Sequence, residues 1–239
     1  RRALLGGTPA LAPWLFPHGL SAALVAPALA TLASFGADIH FRRRLTGLET
    51  NRLVFEDGVV SLGAEDRVIL ALPPWAVAPI LPGWIPSLAT RCIVNAHFRC
   101  PERVILPDQM PFLGLVNGFG HWLFPRGDVL SVTVSAAEPL VDRPAEDIAA
   151  LLWQEIAAVL GRDPLQVPPV RVIKERRATL AHDPATLSLR PGPETPLPGV
   201  FLAGDWIRSP WPCTIEAAIS SGLEAARRAL GRPTLAFGL

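Results

Sequence analysis

The sequence predicts an α/β protein whose main domain is interrupted by a smaller sheet-and-helix insert. Residues 200–203 form a continuous apolar run, which is typical of a strand buried on both faces, and a helix is predicted to begin after Thr214. Residues 93–98 and 131–135 alternate between two faces, as strands do. Residues 144–160 carry an apolar stripe at helical spacing, which completes the insert with an amphipathic helix.

The remaining elements follow from the same periodicities. A helical run over residues 20–35 is expected to end at Gly36. Short strands are predicted over residues 37–41, 45–49, 52–55, 68–72 and 170–176. Proline-rich stretches near residues 73–86 and 183–199 mark two crossings between domains. We therefore predict that segments 1–82 and 183–239 belong to one domain and that segment 83–182 is inserted between them.

Composition limits the classes of function. Half of the 239 residues are apolar and the formal net charge is +1, which argues against a protein that binds nucleic acid. The mean hydropathy of +0.33 is high for a water-soluble chain. A deep core explains this value, and so does an apolar cavity or a membrane-facing surface for a greasy substrate.

The cysteines, the histidines and the apolar segments of the sequence indicate whether the protein binds metal and where in the cell it is located. Cys92, Cys100 and Cys213 lack metal-ligand spacing, and the five histidines form no ligand pattern, so we predict no metal site. Free thiols and the lack of a secretory signal pattern predict a cytoplasmic protein. The most apolar segment, residues 20–35, is too short to span a bilayer, which leaves peripheral contact with the inner membrane face open.

The residues after the predicted strand 200–203 are the strongest candidates for a site. Gly204 permits close approach of a ligand to the backbone, and Asp205 lies at the carboxyl end of a strand, where open α/β sheets bind ligands. Thr214 is a candidate N-cap, so unpaired N–H groups would point toward Asp205. These groups suit the hydroxyls and the electron-rich end of a large cofactor. The alternative is an ordinary strand-loop-helix unit in which Asp205 caps a turn.

The strings LAGDW and TIEAAISSGLEAA resemble the C-terminal flavin motif of the FAD-dependent amine oxidase and phytoene desaturase superfamily. The resemblance implies FAD as cofactor and a Rossmann-like FAD-binding domain made of segments 1–82 and 183–239. It implies that Asp205, flanked by Gly204 and Trp206, holds the ribityl chain. It also implies that the backbone of Thr214 and Ile215 faces the flavin, and that Leu45 passes the adenine.

One part of the superfamily pattern is missing from the sequence. Gly118-Phe119-Gly120 lacks the third glycine of G-x-G-x-x-G and follows no suitable strand-helix unit. The superfamily holds the FAD pyrophosphate on such a turn near its N-terminus. We therefore expect that the chain is the C-terminal portion of a longer enzyme, that it needs an N-terminal G-x-G-x-x-G segment as partner, and that alone it binds FAD weakly and is inactive.

A finer resemblance covers nearly the whole chain. The strings CIVNAHF, GHWLFPR, ERRAT and TPLPGVFLAGDW are similar to those of the hydroxysqualene dehydroxylase family of hopanoid and squalene synthesis. This resemblance implies that reduced FAD delivers hydride as an allylic hydroxyl leaves, and that segment 83–182 binds a long isoprenoid. A carotenoid-type desaturase, an amine oxidase and a non-catalytic fragment or partner subunit are the alternatives.

Several residues are candidates to serve this chemistry. A proton donor for the departing hydroxyl is expected among His97, His121 and Glu175. Candidate substrate-lining residues are Asn95, His97, Trp122, Phe124 and Trp211. For each one singly, core packing or a solvated strand position is the alternative.

Overall fold

Helix α1 (Ala26–Ser34) is the main regular element of an N-terminal unit whose boundary lies between Arg43 and Arg44. The computed structural model describes residues 15–16 and 18–232. A π-helical turn (Ser21–Val25) precedes α1, and Gly36 ends the run at φ +75°, so the predicted helix is confirmed. The predicted strand over residues 37–41 is wrong: these residues are extended coil, because no neighbouring described strand pairs with their backbone.

The unit that follows Arg44 contains all of the described strands. Its elements are β1 (Leu45–Glu49), β2 (Arg52–Phe55), β3 (Gly58–Ser61), β4 (Val68–Leu70), α2 (Pro74–Val77), β5 (Thr90–Arg99), β6 (Leu113–Gly114), β7 (Trp122–Arg126), β8 (Val129–Ser135), α3 (Glu138–Val141), α4 (Ala145–Leu160), β9 (Val170–Leu180), α5 (Pro184–Ser188), β10 (Val200–Leu202) and α6 (Ile215–Ala229). The predicted helix in the insert and the predicted strands 45–49 and 52–55 are confirmed.

A five-stranded antiparallel sheet in the order β6-β7-β8-β5-β9 forms the larger half of this unit. Helix α4 contributes Ile148, Leu152 and Ile156 to the core, where they join alternate side chains of β5, β7 and β8. Gly161 ends α4 in the left-handed conformation at φ +63°. The period of two in the strands therefore leaves one face of the sheet packed on α4 and the other face open.

A second core is built from the first and last parts of the same unit. Strand β10 pairs in parallel with β4, with Val200 opposite Val68 and Leu202 opposite Leu70. Helix α6 packs on these two strands, and the antiparallel β1-β2-β3 sheet adds Leu45 and other side chains to the same cluster. This core carries the carboxyl end of β10. The division of the chain at residues 82 and 182 stays a prediction.

Candidate functional site

The loop of residues 203–213, which we call the Asp205 loop, leaves the carboxyl end of β10 in a fixed geometry. The Ala203 amide donates to the Leu70 carbonyl at 3.1 Å, and the Gly204 amide donates to Ser221 Oγ of α6 at 2.8 Å. Gly204 has φ +149°, a conformation that other residues rarely adopt, and a Cβ there would lie 2.6 Å from the Trp206 ring. Glycine is therefore required at the point where the strand turns into the loop.

Asp205 presents a carboxylate that the rest of the described chain does not use. The residue is half-buried, and its side chain makes no hydrogen bond or ion pair with any described residue. The charge of Asp205 acts on the nearby Cys213. Burial raises the pKa of the Cys213 thiol, and the negative charge of the Asp205 carboxylate raises that pKa further. An acceptor held by its backbone and left without a partner is suited to donors on a ligand, such as hydroxyl groups.

Helix α6 begins as the sequence predicts. Thr214 is the N-cap, with extended φ and ψ, and its Oγ1 accepts a hydrogen bond from the Ala217 amide at 3.3 Å. Ile215 follows with about half of its surface exposed. The helix has 15 residues. Its first turn presents N–H groups without partners inside the helix and the positive end of the helix dipole, as helix N-termini do.

Trp206 and Leu45 lie within the second core. Trp206 is only 2% exposed, and its indole Nε1 donates to the Leu72 carbonyl at 2.9 Å. Its ring therefore ties the Asp205 loop to the residues after β4. Leu45 is half-buried at the start of β1 and packs against the same cluster as Leu202. The cofactor roles predicted for both residues stay predictions.

Arg190 is the residue of the site that the sequence analysis missed. It is 3% exposed, and its guanidinium donates to four backbone carbonyls of the Asp205 loop. Those acceptors are Asp205 O at 2.7 Å, Trp206 O at 3.2 Å, Trp211 O at 3.2 Å and Ile207 O. Arg190 stands in a proline-rich stretch before β10, where a lone arginine carries no periodicity or motif that distinguishes it from a surface residue.

Four of the five predicted substrate-lining residues share the open face of the five-stranded sheet. The register places Trp122 and Asn95 in one row across β7, β8 and β5, and Phe124 and His97 in the next row. Polar side chains of β8 serve this face: Thr133 Oγ1 donates to Asn95 Oδ1 at 2.8 Å, whereas Ser131 Oγ lies 2.9 Å from His97 Nδ1. Trp211 lies apart from them, in the Asp205 loop.

The open face also carries an aromatic residue that the sequence analysis did not select. The ring of Phe112 lies 5.8 Å from the ring of Trp122 and 6.0 Å from that of Phe124, centroid to centroid. Phe112 precedes β6 in a proline-containing loop without regular periodicity, so only the folded chain brings it to this face. Phe112, Trp122 and Phe124 therefore form a cluster of three aromatic rings on the open face of the sheet, beside β7.

The environment of His97 favours the neutral imidazole. Partial burial lowers the pKa of His97, and the positive charges of Arg126 and Arg171 lower it further. Arg171 lies directly opposite His97 in the β5-β9 pair. At neutral pH His97 is therefore an uncharged hydrogen-bonding group beside Ser131.

The lowered pKa of His97 predicts a pH dependence of folding. Below the ordinary histidine pKa of 6.5 the unfolded chain takes up a proton that the folded chain resists, so stability falls as the pH drops. H97Q removes this penalty. Its free energy of unfolding, relative to wild type, should rise between about pH 7 and about pH 5 in denaturant titrations. H40Q, at an exposed coil position, is the control; parallel curves for wild type and H97Q would contradict the assignment.

The other two candidate proton donors lie in different settings. Glu175 is exposed and lies opposite Ile93 in the β5-β9 pair. It stands four residues from Arg171 along β9, so both side chains lie on the open face of the sheet. His121 Nδ1 accepts a hydrogen bond from the Ser135 amide at 3.1 Å, so this nitrogen secures the end of β8. The structure thus places Glu175 and His97 on one face, and the identity of the proton donor stays a prediction.

The ERRAT string forms a bulge in β9 rather than a regular strand. Arg91 pairs with Thr179 and Ile93 pairs with Glu175, so three residues of β9 lie opposite Cys92 alone. Cys92 Sγ donates to the Arg176 carbonyl at 3.3 Å within the bulge. The irregular backbone puts the Arg177 guanidinium 4.6 Å from the centre of the Trp75 ring, a residue of α2. The bulge therefore joins the edge strand to the residues that follow β4.

The glycines at positions 118 and 120 have a packing role. The Glu155 carboxylate of α4 accepts hydrogen bonds from the amides of Phe119 and Gly120, both at 2.9 Å. A Cβ on Gly118 would lie 2.8 Å from the same carboxylate. These glycines let the β6-β7 loop close on Glu155, which agrees with their exclusion as a dinucleotide fingerprint.

The Asp205 loop, whose carboxylate has no partner among the described residues, and the capped N-terminus of α6 form the candidate cofactor site. Residues 13–230 match the family of flavin containing amine oxidoreductases. Since this match covers most of the sequence, the chain belongs to that family. The predicted flavin cofactor and α/β fold class are confirmed at this level.

Individual relatives refine the comparison. A hydroxysqualene dehydroxylase from Rhodopseudomonas palustris is 42% identical over 233 residues, covering 95% of this chain and 54% of the relative. A 15-cis-phytoene desaturase from Synechococcus elongatus is 23% identical and covers 81% of this chain and 46% of the relative. A putrescine oxidase structure superposes with a TM-score of 0.61 at 17% identity, covering 87% of this chain and 53% of that one, which shows a shared fold. The chain spans about half the length of the curated relatives it matches.

Proposed function

We propose that the protein containing this chain is an FAD-dependent oxidoreductase that removes the allylic hydroxyl group of hydroxysqualene to give squalene. The observation that carries the proposal is the 42% identity to a hydroxysqualene dehydroxylase along 95% of the chain. The apolar composition and the aromatic open face of the sheet support an isoprenoid substrate, since both offer apolar surface to a long hydrocarbon.

In this proposal the second core holds the cofactor. Asp205 would accept hydrogen bonds from the ribityl hydroxyls, and the first turn of α6 at Thr214 and Ile215 would face the electron-rich end of the flavin. Leu45 would pass the adenine. The Asp205 carboxylate, which has no partner among the described residues, fits such a ligand. When bound, FAD supplies the hydride chemistry.

The chain's own residues would hold the substrate and exclude water. The row of Trp122 and Asn95 and the row of Phe124 and His97 offer apolar surface with a few polar groups, which suits an isoprenoid bearing one hydroxyl. Neutral His97 would orient that hydroxyl through its ring N–H. The candidate proton donors are His97, His121 and Glu175, of which Glu175 lies on the same face as His97, nearer the bulge.

We propose that a further segment carrying G-x-G-x-x-G completes the FAD site. The half-length coverage of the relatives supports this partner, as do the exposed apolar side chains of the N-terminal unit, among them Leu24, Leu32 and Phe35. Within the described residues no helix combines the length and apolar character required to cross a bilayer. Peripheral binding to the inner membrane face, where an isoprenoid would dissolve, is part of the proposal and is testable by vesicle flotation.

Product analysis tests the reaction. The chain, produced together with a segment that carries G-x-G-x-x-G, is incubated anaerobically with reduced FAD and hydroxysqualene. We expect squalene as the product by gas chromatography and mass spectrometry, and at least about a tenfold lower rate with D205A because a charge-assisted contact to the cofactor is lost. Turnover of a carotenoid precursor or an amine, with none of hydroxysqualene, would overturn the proposal.

A carotenoid-type desaturase is the second candidate. The 23% identity to a phytoene desaturase over 81% of the chain favours it above an amine oxidase. The absence of tyrosine from the sequence also weighs against an amine substrate, because aromatic cages of amine oxidases commonly use that residue. The two candidates predict opposite directions of hydride transfer. Oxidised FAD with a carotenoid precursor is therefore the second arm of the product assay.

A further inference from the structure

We propose that Arg190 is the positioning residue of the Asp205 loop: it fixes the backbone that carries Asp205 and places a buried positive charge beneath it. The inference deepens the proposed function, since it concerns the site that would hold the flavin. It rests on the geometry of the loop, which is independent of the reaction.

The contacts of Arg190 cover the loop from one end to the other. Its guanidinium donates hydrogen bonds to four carbonyls of the loop, those of Asp205, Trp206, Ile207 and Trp211. The Arg190 backbone is engaged by the loop in return: Arg208 Nε donates to the Arg190 carbonyl at 3.1 Å. Without this side chain, the carbonyls of Asp205, Trp206 and Ile207 would lose their donor, and the Trp211 carbonyl would keep only Ser209 Oγ at 3.4 Å.

The chemistry of the contact requires arginine. A guanidinium has five N–H donors in a planar fork, which can reach several carbonyls that point in different directions. The ammonium of a lysine is a single point with three donors and cannot span the same acceptors. Burial of a cation is costly unless its donors are satisfied, and here four hydrogen bonds offset that cost.

The charge of Arg190 is not neutralised by a direct partner. No carboxylate of the described chain forms an ion pair with it, and its four acceptors are neutral carbonyls. Its field reaches the far end of the loop: the positive charge of Arg190 lowers the pKa of the Cys213 thiol, against the larger effects of burial and of Asp205. The buried positive charge of Arg190 attracts an electron-rich ligand and offsets part of the repulsion from the Asp205 carboxylate. The pyrimidine end of a reduced flavin is such a ligand group.

Hydrogen exchange tests the positioning role on the chain without any cofactor. Amides of the loop are protected by defined bonds, including Ile207 to the Gly204 carbonyl and Cys213 to His182 Nε2. R190M and R190K should both exchange faster than wild type in residues 203–213, by at least about tenfold. Peptides of β8 should be unchanged. R103M, which removes an exposed guanidinium outside the loop, should change loop exchange by less than about threefold.

The pH profile of Cys213 alkylation separates charge from geometry. In a C92S background, with Cys100 buried, Cys213 is the reactive thiol. R190K loosens the loop but keeps the charge, so the alkylation midpoint of R190M should lie above that of R190K, and D205N should shift it downward. Equal midpoints for R190M and R190K, or loop exchange no faster than in R103M, would overturn the proposal. If R190M fails to fold, the loop exchange of R190K decides. Both measurements are free of flavin, so their outcome is separate from that of the product assay.

Discussion

A G204A substitution is expected to destabilise the folded chain by about 2–5 kcal/mol, as strain and overpacking add together. Gly204 has φ +149°, where a side chain is strained, and the new Cβ would lie 2.6 Å from both Cδ1 and Nε1 of Trp206. The ring cannot retreat easily, because it is 2% exposed and bonded to the Leu72 carbonyl. Denaturant unfolding followed by tryptophan fluorescence and circular dichroism measures the change.

Gly222 provides the matched control for this prediction. It lies inside α6, and an added Cβ would meet no atom within 4 Å. G222A should therefore leave the free energy of unfolding unchanged or raise it by up to about 1 kcal/mol, since alanine is the better helix former. If G204A were as stable as G222A, the close approach of Gly204 to Trp206 would not be a feature of the folded protein.

Replacement of Asp205 is expected to weaken FAD binding about 10- to 100-fold, the loss of one or two charge-assisted hydrogen bonds. The backbone of Asp205 is held by Arg190, and its carboxylate has no partner among the described residues, so D205N should change ligand binding much more than folding. The affinity is measured by the quenching of FAD fluorescence, with the chain produced beside a G-x-G-x-x-G segment. Thermal unfolding of the ligand-free variant checks that the fold is kept.

D142N is the matched control for Asp205. Asp142 is an exposed aspartate whose carboxylate pairs with Arg176 of β9 at 2.7 Å. This substitution removes the same charge from the chain and should leave FAD affinity within about twofold of wild type. Equal affinity of D205N and wild type would remove Asp205 from the cofactor site, whatever the reaction proves to be.

The elements that the sequence predicts well are those whose period continues over many residues. The amphipathic helix before Gly161 and the alternating strand 131–135 are confirmed because each hides one regular face in a core. The strand over residues 37–41 is wrong for the complementary reason. Its apolar residues, Ile39 and Phe41, have strand character, but a strand also needs a neighbour, and no described strand lies beside it.

The candidate site divides in the same way. Gly204, Asp205 and the Thr214 cap are adjacent in sequence and form a local motif, so a short string of residues was enough to predict them. Arg190 and Phe112 act through contacts with residues that are distant in sequence or in irregular loops. Neither carries a local signature. Their roles depend on where the folded chain brings four carbonyls or two aromatic rings together.

From the sequence by itself, local backbone preferences and hydrophobic periodicity determined a strand followed by Gly204 and Asp205 and a helix capped by Thr214, because each preference acts over a few neighbouring residues. The flavin-binding family followed from the resemblance of the strings LAGDW and TIEAAISSGLEAA to a known motif. Only the tertiary structure decided how the motif is held. Three features depend on packing between distant segments, which no local pattern records: the buried Arg190 beneath the loop, the indole of Trp206 against Leu72, and the row that joins Trp122 to Asn95 across three strands.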